Sequence, residues 1–203
     1  VTTIAAANLY GRYAIAADSR LTISHSTIVS DTFDKIRRIS SVNGGPAYFT
    51  SAGDARLLNL ADKCGFQDAP SVELFVKQIQ SWFTTEQWAP AEGIGAPGWG
   101  FCGVYMDHSG VWSIDGTFHF RRLAHGEVCA FGSGADFALG AMDWERQISP
   151  STDAGQLAEI GVRAGIRRDS GSGGEVRVIV MDEKGVVVHD WEKARYAGSE
   201  AAA

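Results

Sequence analysis

The strongest constraint on this chain is the way its hydrophobic period changes along the sequence. Segments 2–10 and 12–18 are rich in Ala, Ile and Tyr and flank Gly11, which reads as a β-hairpin with small inward residues. A second strand pair follows at 34–42 and 46–52, split by Asn43-Gly44-Gly45-Pro46. The period then becomes helical from Asp54 to near Gly65, and again from Ser71, a candidate N-cap, to Trp88. In that second helix Val72, Phe75, Val76, Ile79 and Phe83 mark one buried face. After a Gly/Pro-rich loop at 89–98, strands are expected at 99–107, 110–115, 117–123 and 127–131. Two more helices, Ser133–Gln147 and Ser151–Arg168 with a cap-like Ser151, precede closing strands at 175–182 and 185–191. Strands, a helix pair, strands, a helix pair and strands again imply a layered α+β sandwich, with sheets inside and helices outside.

The 203 residues fit one domain, read as 1–193 with a tail at 194–203. Hydrophobic residues make up 45% and charged residues 21%, the balance of a soluble globular protein. A net charge of −6 argues against nucleic-acid binding, and the Arg37-Arg38, Arg121-Arg122 and Arg167-Arg168 pairs read as solvated faces. No apolar run is long enough to span a bilayer, and Asn8, Tyr10 and Arg12 interrupt the apolar start, so no membrane segment or secretory signal is read. Cys64, Cys102 and Cys129 form no metal-like pair and fit buried thiols of a reducing, cytoplasmic setting. The five histidines show no ligand spacing, so neither metal nor cofactor is expected.

The candidate chemistry lies at the start of the chain. Thr2-Thr3 runs directly into an apolar strand. A threonine with a free α-amine can act as nucleophile and base together, because the hydroxyl passes its proton to that amine. The amine titrates near pH 8, roughly, and needs little tuning. An adjacent lysine would lower both pKa values, and a carboxylate must hold that lysine. Lys35 and Asp18 are the candidates, provided their strands pair beside the first; a surface ion pair is the plainer alternative.

Other segments allow two readings each. Gly132-Ser133-Gly134 precedes a helix, so Ser133 is either its N-cap or a hydroxyl presented to a reacting group. Asp169-Ser170-Gly171-Ser172-Gly173-Gly174 is either a flexible turn or a loop whose Asp169 and Ser172 orient the amine. The small-residue turn at Ser51-Ala52-Gly53-Asp54 suits an oxyanion hole.

Together, Thr2-Thr3-Ile4, Ala17-Asp18-Ser19-Arg20, Lys35-Ile36-Arg37-Arg38, Ala52-Gly53-Asp54-Ala55, Gly132-Ser133-Gly134-Ala135 and the run from Asp169 to Gly174 resemble the β-type subunits of the proteasome family. That family includes HslV and the β-proteobacterial proteasome homologues. The Thr-Thr-Ile start is like HslV, whereas the stretch 132–142 looks most like the β-proteobacterial homologues. The resemblance implies the four-layer αββα fold of N-terminal nucleophile hydrolases and a homo-oligomer of stacked rings. It places Thr2 as nucleophile, Asp18 and Lys35 as its supports, and Ser133, Asp169 and Ser172 in the set that positions the N-terminus. Thr50 falls where the family usually has an oxyanion-donating Gly, with Ser51 beside it. Val1 adds one residue ahead of the family's register and is expected to be removed.

The function expected on this basis is a threonine endopeptidase subunit that cleaves peptides or unfolded proteins inside a ring chamber. Folded substrates would need an ATP-dependent unfoldase. A small-amide amidohydrolase and a catalytically silent ring subunit are the alternatives.

Overall fold

The computed structural model describes residues 2–23, 27–40, 45–53, 55, 57–59, 71–85 and 101–190. The first sheet has the order β10-β1-β2-β11-β12, from β1 (Thr3–Leu9), β2 (Arg12–Asp18), β10 (Val128–Gly132), β11 (Val176–Asp182) and β12 (Val187–Asp190). The second is a meander of β5 (Ile36–Ser40), β6 (Pro46–Gly53), β7 (Phe101–Asp107), β8 (Gly110–Ile114) and β9 (Phe120–Arg122). All pairings in both sheets are antiparallel. Three helices are described at length: α1 (Val72–Thr85), α2 (Ala135–Ile148) and α3 (Ala154–Arg168).

The period-two alternation assigns each strand face to a layer. Ile4, Ala6, Ile15, Ala17, Ile179 and Met181 meet Ile36, Tyr48, Ala52, Val104 and Met106 between the sheets. The opposite face of the first sheet, including Ala5, Ala7, Ala14 and Ala16, packs on Ala138 and Met142 of α2 and on Leu157, Ala158 and Val162 of α3. The opposite face of the second sheet, including Phe49, Phe101 and Tyr105, packs on Phe75, Val76, Ile79 and Phe83 of α1. The layers run helix, sheet, sheet, helix. β1 is buried on both faces, which explains its run of alanines: larger side chains would hold α2 and α3 off the sheet.

Several sequence expectations shift. A two-stranded ribbon, β3 (Leu21–Ile23) with β4 (Thr27–Ser30), has no counterpart in the sequence reading, since its residues are largely polar or exposed. The expected strand at 117–123 shortens to β9, because Asp115 accepts backbone N–H bonds from Thr117 and His119 and closes a turn there. Ser151 does not cap α3. Asp153 does, in a capping box with Gln156, which moves the helix start to Ala154. Of the helix expected from Asp54, residues 57–59 are helical, Ala55 is a turn and the others lie outside the described residues, as do Val1, Cys64, the loop at 89–98 and the tail. Cys102 and Cys129 are free thiols, and burial pushes Cys129 up to about 12. No helix among the described residues is long and apolar enough to cross a membrane.

Candidate active site

Thr2 lies immediately ahead of β1 and is 7% exposed. Asp18 closes β2, the strand paired with β1, so Ile4 faces Ala17 and Asp18 falls beside the start of the chain. Lys35 arrives differently from the sequence expectation. It immediately precedes β5, which belongs to the second sheet, so its side chain reaches Asp18 across the inter-sheet gap instead of from a neighbouring strand.

Lys35 Nζ donates to Thr2 Oγ1 at 2.9 Å and to Asp18 Oδ1 at 2.7 Å. Both ionic side chains are almost wholly buried. The Asp18 carboxylate also accepts from the backbone N–H groups of Thr3 at 2.9 Å, Gly173 at 3.0 Å and Arg20 at 3.2 Å. Those donors fill the acceptor sites of an ionised carboxylate, which offsets the cost of removing it from water. Burial lowers the Lys35 pKa, opposed by the charge and hydrogen bond of Asp18 and by the charge of Asp169, with Arg20 adding to the lowering. The result is a dry cation touching one hydroxyl, and a positive charge placed there favours the alkoxide form of Thr2.

Ser133, Asp169 and Ser172 also meet. Asp169 Oδ2 accepts from Ser133 Oγ and, at 2.6 Å, from Ser172 Oγ, while Oδ1 accepts the Gly171 N–H at 3.3 Å. Ser133 is thus no helix cap: Gly134 occupies the N-cap of α2 and makes no side-chain cap bond. The hydroxyl is directed at Asp169 instead.

Thr50 and Ser51 part company. Thr50 sits within β6, paired with Ile36 on one side and Val104 on the other. A Cβ placed on Gly103 would lie 2.9 Å from the Thr50 carbonyl oxygen, so that carbonyl and the N–H pointing with it face β7. Its side chain alternates with Ser51 and shares the inter-sheet face with Tyr48 and Ala52. Thr50 thus keeps its backbone within the second sheet, because β6 stays in its ladder through Gly53. Ser51 and Gly53 instead line a pocket of about 210 Å³ shared with Thr2, Lys35, Leu21, Thr22, Phe33, Ala55 and Leu58.

Two further residues complete the site. Thr3 bonds through its N–H to Asp18 and through its hydroxyl to Ser172 at 2.7 Å. Arg20 ties the loops together, with Nε at 2.6 Å from Asp31 and Nη1 at 3.4 Å from the carbonyls of Ser170 and Ser172. Adjacency to Thr2 was the only sequence signal for Thr3, and Arg20 could be suspected only from its place in the Asp18-Ser19-Arg20 run. Among the described residues no cluster of His, Cys, Asp and Glu could hold a metal ion.

No protein-family model matches the chain, and no curated protein matches it in sequence. Solved structures do. BPH from Thiobacillus denitrificans in complex with epoxomicin superposes with a TM-score of 0.70 at 24% identity, covering 89% of this chain and 98% of that one. A second structure of BPH from the same organism gives 0.72 at 23% identity, with the same coverage. Eukaryotic HslV from Trypanosoma brucei gives 0.63 at 19% identity, covering 89% and 99%. The chain therefore has the α+β fold of the proteasome-like and HslV N-terminal nucleophile hydrolase structures, two antiparallel sheets between helices.

Proposed function

We propose that this chain is a subunit of a threonine peptidase, with Thr2 as nucleophile once everything ahead of it has been removed. The observation that carries the reading is the buried contact of Lys35 Nζ with both Thr2 Oγ1 and Asp18 Oδ1. A lysine and an aspartate this dry have a heavy desolvation cost, and a plain structural ion pair gives no reason to aim the third partner at a threonine hydroxyl. Thr2 Oγ1 attacks a peptide carbonyl and passes its proton to its own α-amine. Lys35 stabilises the oxygen as it loses that proton, and the oxyanion would be held by amides of the β6 wall, where Ser51 and Gly53 line the pocket beside Thr2. Collapse of the tetrahedral adduct expels the amine product, and water then hydrolyses the Thr2 ester.

The pocket beside Thr2 is walled by Leu21, Phe33, Ala55 and Leu58, with hydroxyls from Thr22 and Ser51. Its volume holds one side chain, so cleavage after an apolar residue is expected. An exposed apolar stripe on α2, from Phe137, Trp144 and Ile148, supports assembly with further copies, as stacked rings require. Peptides would enter such a chamber unaided, whereas folded substrates would need an ATP-driven unfoldase.

The test combines intact mass with chemical labelling. A species beginning at Thr2 should hydrolyse peptides and take up epoxomicin on Thr2, and Thr2→Ala should lose both properties while keeping its assembly. Undiminished turnover by Thr2→Ala, or full activity of a species that retains Val1, overturns the reading.

A further inference from the structure

The direction of the hydrogen bonds around Asp169 can be worked out from proton counting. Asp169 Oδ2 accepts from Ser133 Oγ and Ser172 Oγ. A serine hydroxyl has one proton, and that of Ser172 is committed to the carboxylate. In the 2.7 Å contact between Ser172 Oγ and Thr3 Oγ1 the donor must then be Thr3. Thr3 is fully buried and has no freedom to turn away. A Cβ on Gly134 would lie 2.1 Å from Thr3 Oγ1, and one on Gly165 2.4 Å from it, so α2 and α3 close on this side chain with glycines on both sides. The backbone N–H of Thr3 is fixed as well, by Asp18 at 2.9 Å.

We infer that Thr3 is a positioning residue: its hydroxyl donates to Ser172 and holds that serine in place within a hydrogen-bond wire, running from Thr3 through Ser172 to Asp169, whose polarity the Asp169 carboxylate sets. The inference rests on Thr2 being the nucleophile with a free amine. With the wire set this way, Ser133 and Ser172 have only lone pairs left for other groups. A neutral amine at Thr2 can donate its N–H groups to such oxygens while its own lone pair stays open for the Thr2 hydroxyl proton. Without Thr3 as donor, Ser172 still donates to Asp169 but loses the contact that holds its oxygen in place. The amine then has no fixed acceptor to aim its lone pair at the Thr2 hydroxyl.

Two measurements test this. In a Thr2→Ala background, where turnover plays no part, unfolding is measured for Thr3→Val, Ser172→Ala and the pair. A wire predicts that the double variant is no less stable than the worse single variant, whereas additive losses overturn the wire. In the active chain, Thr3→Val should lower kcat about tenfold or more at unchanged KM, with Thr3→Ser restoring it. Unchanged kcat in Thr3→Val, or a loss that Thr3→Ser does not restore, overturns the positioning role. Absence of Thr2-dependent turnover in the parent chain removes the reaction and that role with it, a failure distinct from additivity in the unfolding cycle.

Discussion

A Cβ placed on Gly132 would lie 1.9 Å from the carbonyl oxygen of Thr2. Gly132 ends β10 opposite Thr3, at a φ of +95°. Both the close approach and the backbone angle exclude a side chain there. The glycine thus sets how near the start of β1 lies to its neighbour strand, and through that the position of the Thr2 hydroxyl.

Gly132→Ala is accordingly expected to destabilise the fold by about 2–4 kcal/mol, combining a left-handed backbone with a clash against main chain. Gly140→Ala is the contrasting case. A Cβ there meets nothing within 4 Å, and the position is interior to α2, so about 0.5–1 kcal/mol of stabilisation is expected. Denaturant midpoints of the two variants should move in opposite directions. A stabilised Gly132→Ala would show that this approach to Thr2 is not as tight as drawn.

Removing either member of the Lys35–Asp18 pair leaves a buried group without its partner. Lys35→Met should abolish turnover and cost about 3–5 kcal/mol, because it leaves the buried Asp18 carboxyl without its partner. Asp18→Ala should cost more. It strands the Lys35 ammonium and also the N–H groups of Thr3 and Gly173. Chemical unfolding decides the order, and a less damaging Asp18→Ala would mean that those amides find other partners.

Much of this pair is legible in the sequence, since Thr2, Asp18 and Lys35 stand out by residue type and by the strands that carry them. What the sequence could not convey is that Lys35 comes from the opposite sheet, because strand order in space is decided by long-range packing. Thr50 illustrates the same limit. Its place in the motif suggested an oxyanion donor, whereas its pairing with Val104 in the second sheet is not readable from that motif. Thr3 was hidden for another reason. Its partners Gly134, Gly165 and Ser172 lie far along the chain, and nothing local distinguishes it from any strand threonine.

Asp169 supplies a pH dependence. Burial pushes its pKa up, but the hydrogen bonds from Ser133, Ser172 and the Gly171 N–H outweigh this and hold it below the ordinary value of 3.8. As pH falls, the unfolded chain therefore takes up this proton first. The stabilisation is fully present above the unfolded value and is lost as pH drops from there through the folded one. Relative to Asp169→Asn, the parent should show a constant stability difference from neutral pH to about pH 5, closing below about pH 4. A difference that widens on acidification would contradict a lowered pKa.

The last expectation concerns the outer face of α2. Its buried side carries Ala138 and Met142, whereas Phe137, Trp144 and Ile148 follow one another at steps of seven and four residues on the opposite side. Trp144 is 62% exposed and Ile148 55%. Burying a side chain of this size is worth roughly 1.5–3 kcal/mol each, so a stripe of three would contribute to a contact between copies, against the cost of association. Trp144→Asp should leave the helix content unchanged and move the chain to a smaller species in sedimentation velocity. Leu74→Asp, at an exposed apolar position on α1, should leave the assembly intact. A Trp144→Asp chain that sediments like its parent would place the contacts between copies on some other face. That would leave three large apolar side chains on α2 exposed to water in the assembled particle, a costly arrangement for a helix whose buried side is already satisfied by the sheet.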